Sequence, residues 1–329
     1  RITIRSAVPL AHLRTRIHAP FEHLQSCGDI GMVMSSALDV RVEDSRNAYR
    51  DFHADWETRV ADEARLLREL GADLVFSNVG YLPLAGAQQA GIPNAALCSL
   101  NWSDIYRHYC GQDEIAAQIH SCYANADAFL RATPGMAMDA PSTGLRTGLT
   151  NLVPIEPIAA IARNRRDELN RLLKLSTDEK LVLVSMGGIA GRLPIERWPR
   201  VEGVRYLVQA GWRVTHPDVI TFESVPVSFS ELLASSDALL CKPGYGSFVE
   251  AACAGVPALY VNRPDWPETP ALIDWLQCHG ASREVSRHAL ENGEITADLQ
   301  ALWHPPRPDR PIPSGGDQVA NWLAERLGA

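Results

Sequence analysis

Residues 239–261, LLCKPGYGSFVEAACAGVPALYV, constrain the chain more than any other stretch. Residues 237–241 (DALLC) form an apolar run of strand length. A tight turn follows, Lys242, Pro243, Gly244, Tyr245 and Gly246. From Ser247 the apolar spacing is helical, with Phe248, Ala251 and Ala252 on one side. Gly255 and Pro257 stop the helix, and residues 258–261 begin another apolar strand. A strand, glycine turn, helix and strand in this order make a parallel sheet unit, because two parallel strands need a crossover between them. The helix start just past a strand end offers free backbone N–H groups and a positive dipole end, which suits a phosphate. A purely structural reading accounts for the same residues. Ser247-x-x-Glu250 fits a capping box, and Gly244 and Gly246 supply positive φ in a turn.

The rhythm continues through the chain. Residues 2–7 read as a strand, 14–27 as a loop or short helix, and 32–42 as strand-like. Residues 44–70 carry a helical apolar rhythm through Phe52, Trp56, Val60, Ala64, Leu67 and Leu70, closed by Gly71. Strands at 72–79, 94–100 and 128–132 alternate with helices at 82–90 and 114–125. The prolines in 151–157 (NLVPIEP) fit a linker between two domains. Beyond it come a basic amphipathic helix at 164–175, whose arginines read as a solvated face, and a strand at 180–185. That strand runs into Gly187 and Gly188. Short strands at 206–209 and 219–222, a helix at 229–235, a loop and helix at 264–280, an extended segment at 304–313 and a last helix from Ser314 or Asp317 complete the reading. The expected fold class is therefore α/β, with parallel sheets covered on both faces. At 329 residues the chain has material for two cores.

Several chemistries find no support. A net charge of −8 argues against a nucleic-acid backbone as the main partner. No apolar run approaches the length of a membrane span. Seven dispersed cysteines without a CxxC read as reduced thiols of a cytoplasmic protein rather than a disulfide or zinc framework. The histidines show no HxH or HExxH spacing, so no metal is expected. Neither a Walker loop nor a GxSxG elbow occurs. Polar residues cluster where strands end: Asn78, then Asn101, Trp102 and Asp104, then Asp265 and Glu268. Each has a structural counterpart; Trp102 suits a packing role, and Glu268 with Thr269 suits a helix start.

The segment DALLCKPGYGSFVEAACAGVPALYVNRPDWPE resembles the nucleotide-sugar motif of glycosyltransferases with two Rossmann-like domains, the GT-B fold. Together with ADLVFSNVGYLPLAGAQQAGIPNAALCSLNWSDIYRHY and PIPSGGDQVANWL, it resembles the glycosyltransferase-like N-terminal region of plant L-arabinokinases and stand-alone bacterial relatives. The resemblance implies an N-terminal, acceptor-side domain over residues 1–152, a donor-side domain over 153–316, and a helix over 317–329 packing back on the first. It implies a nucleoside diphosphate sugar as substrate, most simply a uridine one, and no separate cofactor. Gly187, Gly188, Lys242, Gly244, Tyr245, Gly246 and Ser247 would face the donor phosphates, and Glu250 its ribose. Asp265 and Glu268 would face the transferred sugar, and Asn78, Asn101 and Trp102 the unknown acceptor. The family's first strand ends in a GHGFGH-type loop that would precede Arg1. An N-terminal segment carrying the catalytic base is therefore expected before this sequence, and no residue here is assigned that role. Two functions follow from the resemblance: sugar transfer, or nucleotide-sugar binding without transfer.

Overall fold

The computed structural model describes residues 1–26, 28–138, 148–187, 192–304 and 308–328. The second half of the chain is built on six strands that are parallel throughout. In chain order after the first half these are β7 (Lys180–Ser185), β8 (Val204–Val208), β9 (Val219–Thr221), β10 (Ala238–Cys241), β11 (Ala258–Val261) and β12 (Ser282–Val285). Their spatial order is β12-β11-β10-β7-β8-β9. Side chains alternate between two buried faces, as strands covered on both sides require. Val182, Val184, Tyr206, Val208 and Leu240 enter one core, and Leu181, Leu183, Leu207, Leu239 and Tyr260 the other. Helices α7 (Arg166–Leu173), α8 (Phe229–Ala234), α9 (Tyr245–Ala254), α10 (Thr269–His279), α11 (Arg287–Asn292) and α12 (Thr296–Trp303) accompany this sheet.

The first half holds a four-stranded parallel sheet, β3 (Val75–Ser77), β4 (Asn94–Cys98), β5 (Ala128–Ala132) and β6 (Leu152–Ile155), in that order. Helices α2 (Val42–His53), α3 (Trp56–Glu69), α4 (Leu82–Ala90), α5 (Trp102–Cys110) and α6 (Glu114–Ala124) belong to it. Ahead of them, β1 (Thr3–Arg5), α1 (Leu10–Arg14) and β2 (Glu22–Leu24) form a separate unit in which β1 and β2 pair parallel. The final helix α13 (Gly315–Leu327) sets Val319, Trp322 and Leu323 against Ala95, Ala128, Leu130 and Ile155 of the first sheet.

Several sequence expectations are corrected. The proline stretch at 151–157 is not a free linker, since Leu152–Ile155 is a strand with Pro154 paired in register with Arg131. Proline is tolerated there because β6 is the sheet's edge and one side of its backbone needs no ladder partner. The helix expected at 44–70 is two helices, broken at Ala54 and Asp55. The strand-like 32–42 stretch keeps a single antiparallel bridge, Met34 with Val40. The arginines at the start of α7 are not a solvated face. Arg165 bonds Glu168 and Glu231, while Arg166 bonds Asp237 and the Glu179 carbonyl. Helix α5, strands β2 and β12, and helices α11 and α12 were not anticipated.

Gly255 closes α9 in the left-handed region at φ 69°, and the Arg310 guanidinium lies where a side chain at 255 would go. Both reasons select glycine.

Val319 is buried between α13 and the first sheet. Val319→Ala is expected to lower stability by about 1–2 kcal/mol, the scale of two lost buried methyl groups. The exposed Asn321→Ala should stay within roughly 0.5 kcal/mol of the parent. Thermal melts of both variants check this.

Candidate functional site

The strand order of the second sheet reverses between β7 and β10: the chain leaves β7 toward β8 and β9, and leaves β10 toward β11 and β12. Such a reversal opens a crevice at the carboxyl ends of the two strands, where the flanking crossovers part. Gly187 lies past β7, and Lys242, Pro243 and Gly244 lie past β10. The Lys242 side chain lies against both glycines, so a Cβ built on Gly187 would sit 3.4 Å from Lys242 Cε and one on Gly244 3.6 Å from Nζ. Gly187 has φ 80°, a backbone that favours glycine. Gly188 lies outside the described residues.

Helix α9 starts at Tyr245, with Gly244 as its N-cap and no side-chain cap hydrogen bond. This corrects the capping-box reading. The helix begins two residues before Ser247, which leaves Ser247 at the third helical position and Glu250 a full turn beyond any cap. A capping box does occur nearby, between Ser228 and Glu231 of α8. The positive-φ reading of Gly244 and Gly246 is also corrected: Gly244 is extended at φ −170°, and Gly246 is an ordinary, exposed helical residue. What glycine provides at 244 is an N-cap without a side chain. The N–H groups of Tyr245, Gly246 and Ser247 precede the first intrahelical bond, Phe248 N–H to the Gly244 carbonyl at 3.1 Å.

The Tyr245 hydroxyl turns toward the first half of the chain. It donates to the Thr133 carbonyl at 3.2 Å and accepts from the Ile158 N–H at 2.9 Å. Burial raises its pKa to about 12, so it stays a neutral donor. Glu250 is 3.5 Å from Arg16, an exposed residue just beyond α1. Burial raises the Glu250 carboxyl, and Arg16 pulls it back.

Past β11 the chain reads Asn262, Arg263, Pro264, Asp265, Trp266, Pro267 and Glu268. Glu268 and Asp265 part company here. Glu268 is buried; Oε1 accepts from the Ser99 hydroxyl at 2.5 Å and Oε2 from Trp266 Nε1 at 3.2 Å. Its side chain makes no cap bond to α10. Asp265 is exposed, and its carbonyl accepts from the Tyr109 hydroxyl at 2.6 Å. Ser99, Tyr109 and Thr133 come from the first half, so the β11 loop and α9 are tied directly to the carboxyl ends of β4 and β5.

Of the acceptor-side candidates, Asn101 is the buried N-cap of α5: its Oδ1 accepts from the Asp104 N–H at 2.8 Å. That accounts for its polarity without a ligand. Trp102 donates from Nε1 to Asp29 at 2.5 Å. Asn78 is exposed beside Val79, which holds φ 60°. A β-branched residue in that region is strained by about 1–3 kcal/mol, and the Val79 carbonyl is anchored by the Tyr123 hydroxyl at 2.6 Å. Arg263, Ser99, Arg16 and Asp29 were not singled out from sequence. Arg263 alone had a signal, as a cation inside the YVNRPDWPE stretch. Among the described residues, no group of three or more His, Cys, Asp or Glu is arranged to hold a metal ion, and no helix is long and apolar enough to cross a membrane.

Burial raises the Glu268 carboxyl, while Ser99, Trp266, Lys242 and Arg263 lower it. The raised folded value means that the native state binds its proton more tightly than the unfolded chain. Its contribution is therefore full at low pH and lost as pH rises through the folded value. Glu268→Gln is expected to gain stability relative to the parent as pH rises from 4 toward 8. Ser99→Ala should cost roughly 1.5–3 kcal/mol at neutral pH, the range for a bond to a charged group, and less in acid. Melting curves across that range check both; a parallel pair of pH profiles for parent and Glu268→Gln would contradict the assignment.

No protein-family model matches the chain. A curated relative, the L-arabinokinase of Arabidopsis thaliana, is 25% identical over 280 residues, which are 83% of this chain and 26% of that protein. The chain thus spans about a quarter of that relative's length. Among solved structures, the calicheamicin glycosyltransferase CalG4 matches 100% of this chain and 91% of its own, at 16% identity and a TM-score of 0.56. The glycosyltransferase of kitacinnamycin matches 99% and 87% at 16% identity, and Arabidopsis thaliana UGT89C1 complexed with UDP matches 99% and 92% at 14%, both with TM-scores of 0.56. Two parallel α/β sheets, a switch-point crevice and these likenesses over nearly the whole chain give it the GT-B fold of glycosyltransferases.

Proposed function

We propose that the chain transfers a sugar from a nucleoside diphosphate donor to an acceptor, with a uridine diphosphate sugar as the donor to test first. The observation that carries this reading is the uncapped start of α9 at the switch point, with Lys242 beside it. Three backbone N–H groups, the helix dipole and an ammonium converge there. Burial and the neighbouring Arg263 both lower the Lys242 pKa. An incoming diphosphate supplies an ion-pair partner that Lys242 lacks among the described residues, where its ammonium donates to the Pro243 carbonyl at 3.4 Å. During transfer, negative charge grows on the leaving diphosphate, and fixed N–H groups and a held cation stabilise that charge without reorganising. Gly187 borders the same space, and its bare backbone allows close approach. Glu250 accepts the ribose hydroxyls once Arg16 is displaced. Glu268 faces the transferred sugar from the far side, with Ser99 holding its carboxylate in place. The likeness to a UDP complex supports a uridine donor.

A second reading, nucleotide-sugar binding without transfer, draws on the relative in which the matched region is only a quarter of the protein. Incubation with donor and a panel of hydroxyl acceptors separates the two. Released nucleoside diphosphate supports transfer or hydrolysis; saturable donor binding with no release supports the binding module. The reading routes leaving-group charge through protein groups, so turnover is expected to survive a chelator.

Glu250→Gln is expected to weaken UDP binding by roughly 1–2 kcal/mol, the scale of one charge-assisted hydrogen bond. Its melting temperature should barely change, because the carboxylate makes no cap bond and an ion pair to an exposed arginine contributes little. Lys242→Met should weaken UDP binding more than it weakens uridine binding. Calorimetric titration with both ligands checks these outcomes; early melting of Glu250→Gln with normal UDP affinity would make Glu250 a structural residue.

A further inference from the structure

Arg263 is the most anomalous cation in the fold. Its side chain is 4% exposed, at the carboxyl end of β11, one strand out from Lys242. Among the described residues it forms no ion pair with a carboxylate. Its only hydrogen bond there is Nη2 to the Met34 thioether at 3.5 Å, and Nε is buried without a partner. A thioether is a weak acceptor for a guanidinium. The guanidinium carbon sits over the Trp266 ring, 3.9 Å from its centroid, a cation–π contact that uses none of its N–H donors. The charged groups facing it are already engaged or of the same sign. Glu268 accepts from Ser99 and Trp266 and makes no ion pair with Arg263, Asp39 is held by Arg287 and Ser36, the Tyr109 hydroxyl donates to the Asp265 carbonyl, and Lys242 is a second cation. A buried guanidinium with an unpartnered Nε and only a thioether on Nη2 is costly unless an anion completes it.

We infer that Arg263 is the seat for an anionic group of the donor, and that this group is the carboxylate of an acidic, uronate-type sugar. The inference rests on the nucleotide-sugar reading and deepens it. The position favours the sugar end. The α9 start and Lys242 already serve the phosphates past β10, whereas Arg263 lies past β11 in the same loop as Glu268. The planar guanidinium matches a carboxylate in a two-bond geometry that an ammonium cannot copy. A carboxylate entering here displaces Met34 and exchanges a weak acceptor for a charged one. The same chemistry could be offered by the donor's distal phosphate, and the choice of ligands separates the two sources.

The test is titration calorimetry of the full chain, parent and Arg263→Lys, with UDP, UDP-glucose and UDP-glucuronic acid. Arg263→Lys keeps the charge and removes the fork. The expected result is that the parent binds UDP-glucuronic acid about tenfold or more tighter than UDP-glucose, the scale of one charge-assisted pair. Arg263→Lys should erase that margin and leave UDP-glucose within about twofold. Equal weakening of all three ligands keeps the anion seat and overturns the sugar carboxylate in favour of the phosphate. Unchanged affinity for all three overturns the seat. If Arg263→Lys melts early, Met34→Ala serves in its place, since it frees Nη2 without touching the cation; it should hold or raise UDP-glucuronic acid affinity, and a loss confined to that ligand would overturn the proposal. If the parent binds none of the uridine ligands, the nucleotide-sugar reading fails separately, and glucuronic acid 1-phosphate becomes the probe. Binding that depends on Arg263 sustains the seat, and its absence overturns it.

Discussion

The pairing of β7 with β10 is the contact on which the rest of the molecule depends. These two strands are neighbours in space but separated in sequence by β8, β9 and α8. Their parallel ladder, from Ala238 opposite Val182 to Cys241 opposite Ser185, sets Gly187 and Lys242 side by side. Without it there is no crevice, and the start of α9 faces nothing in particular. The ladder is secure because residues 181–184 and 238–241 are buried on both faces, alternating between the two cores.

The two halves of the chain are joined by polar bonds at the site and by apolar contacts around it. Tyr245, Glu268 and the Asp265 carbonyl reach Thr133, Ser99 and Tyr109. Around these, Ala37 and Leu38 of the first half pack into a core of the second sheet, and Trp266 of the second half packs into the core of the first. Bonds of the first kind couple the geometry of the crevice to the relative placement of the halves. Glu268 is the clearest case, since its buried carboxylate accepts from Ser99 of the other half. Desolvated charges are also unevenly spread: two cations, Lys242 and Arg263, sit near one buried carboxylate, Glu268. That imbalance makes the region suited to anions and gives the donor reading its electrostatic content.

Much of this was legible in the chain itself. Strand-length apolar runs and helix-stopping glycines at 71, 91 and 255 give the α/β alternation, because burial period and positive φ are local properties. Gly187 and Lys242 stood out for the same reason, as residues directly past a strand. The errors arose where a local pattern had two solutions. Ser247-x-x-Glu250 satisfies the capping-box spacing, but the helix starts at Tyr245, with the extended Gly244 as its N-cap. Residues 44–70 keep one rhythm across two helices, since a short break at Ala54 and Asp55 shifts the apolar stripe little. Asn101, an acceptor-side candidate from sequence, also serves as the N-cap of α5, which local pattern did not reveal.

Sequence alone determined many of the elements, the alternation that makes the sheets parallel, and the glycine turn at 242–246. These depend on contacts within a few residues or on one crossover. Only the tertiary structure decided which side chains meet. Ser99 and Glu268 are 169 residues apart, Arg263 and Met34 are 229 apart, and no periodicity links either pair. The physical reason lies in charge: whether a buried cation is paired depends on what the rest of the fold places around it. Arg263 reads as one arginine among many until its surroundings show that it has no carboxylate of its own among the described residues.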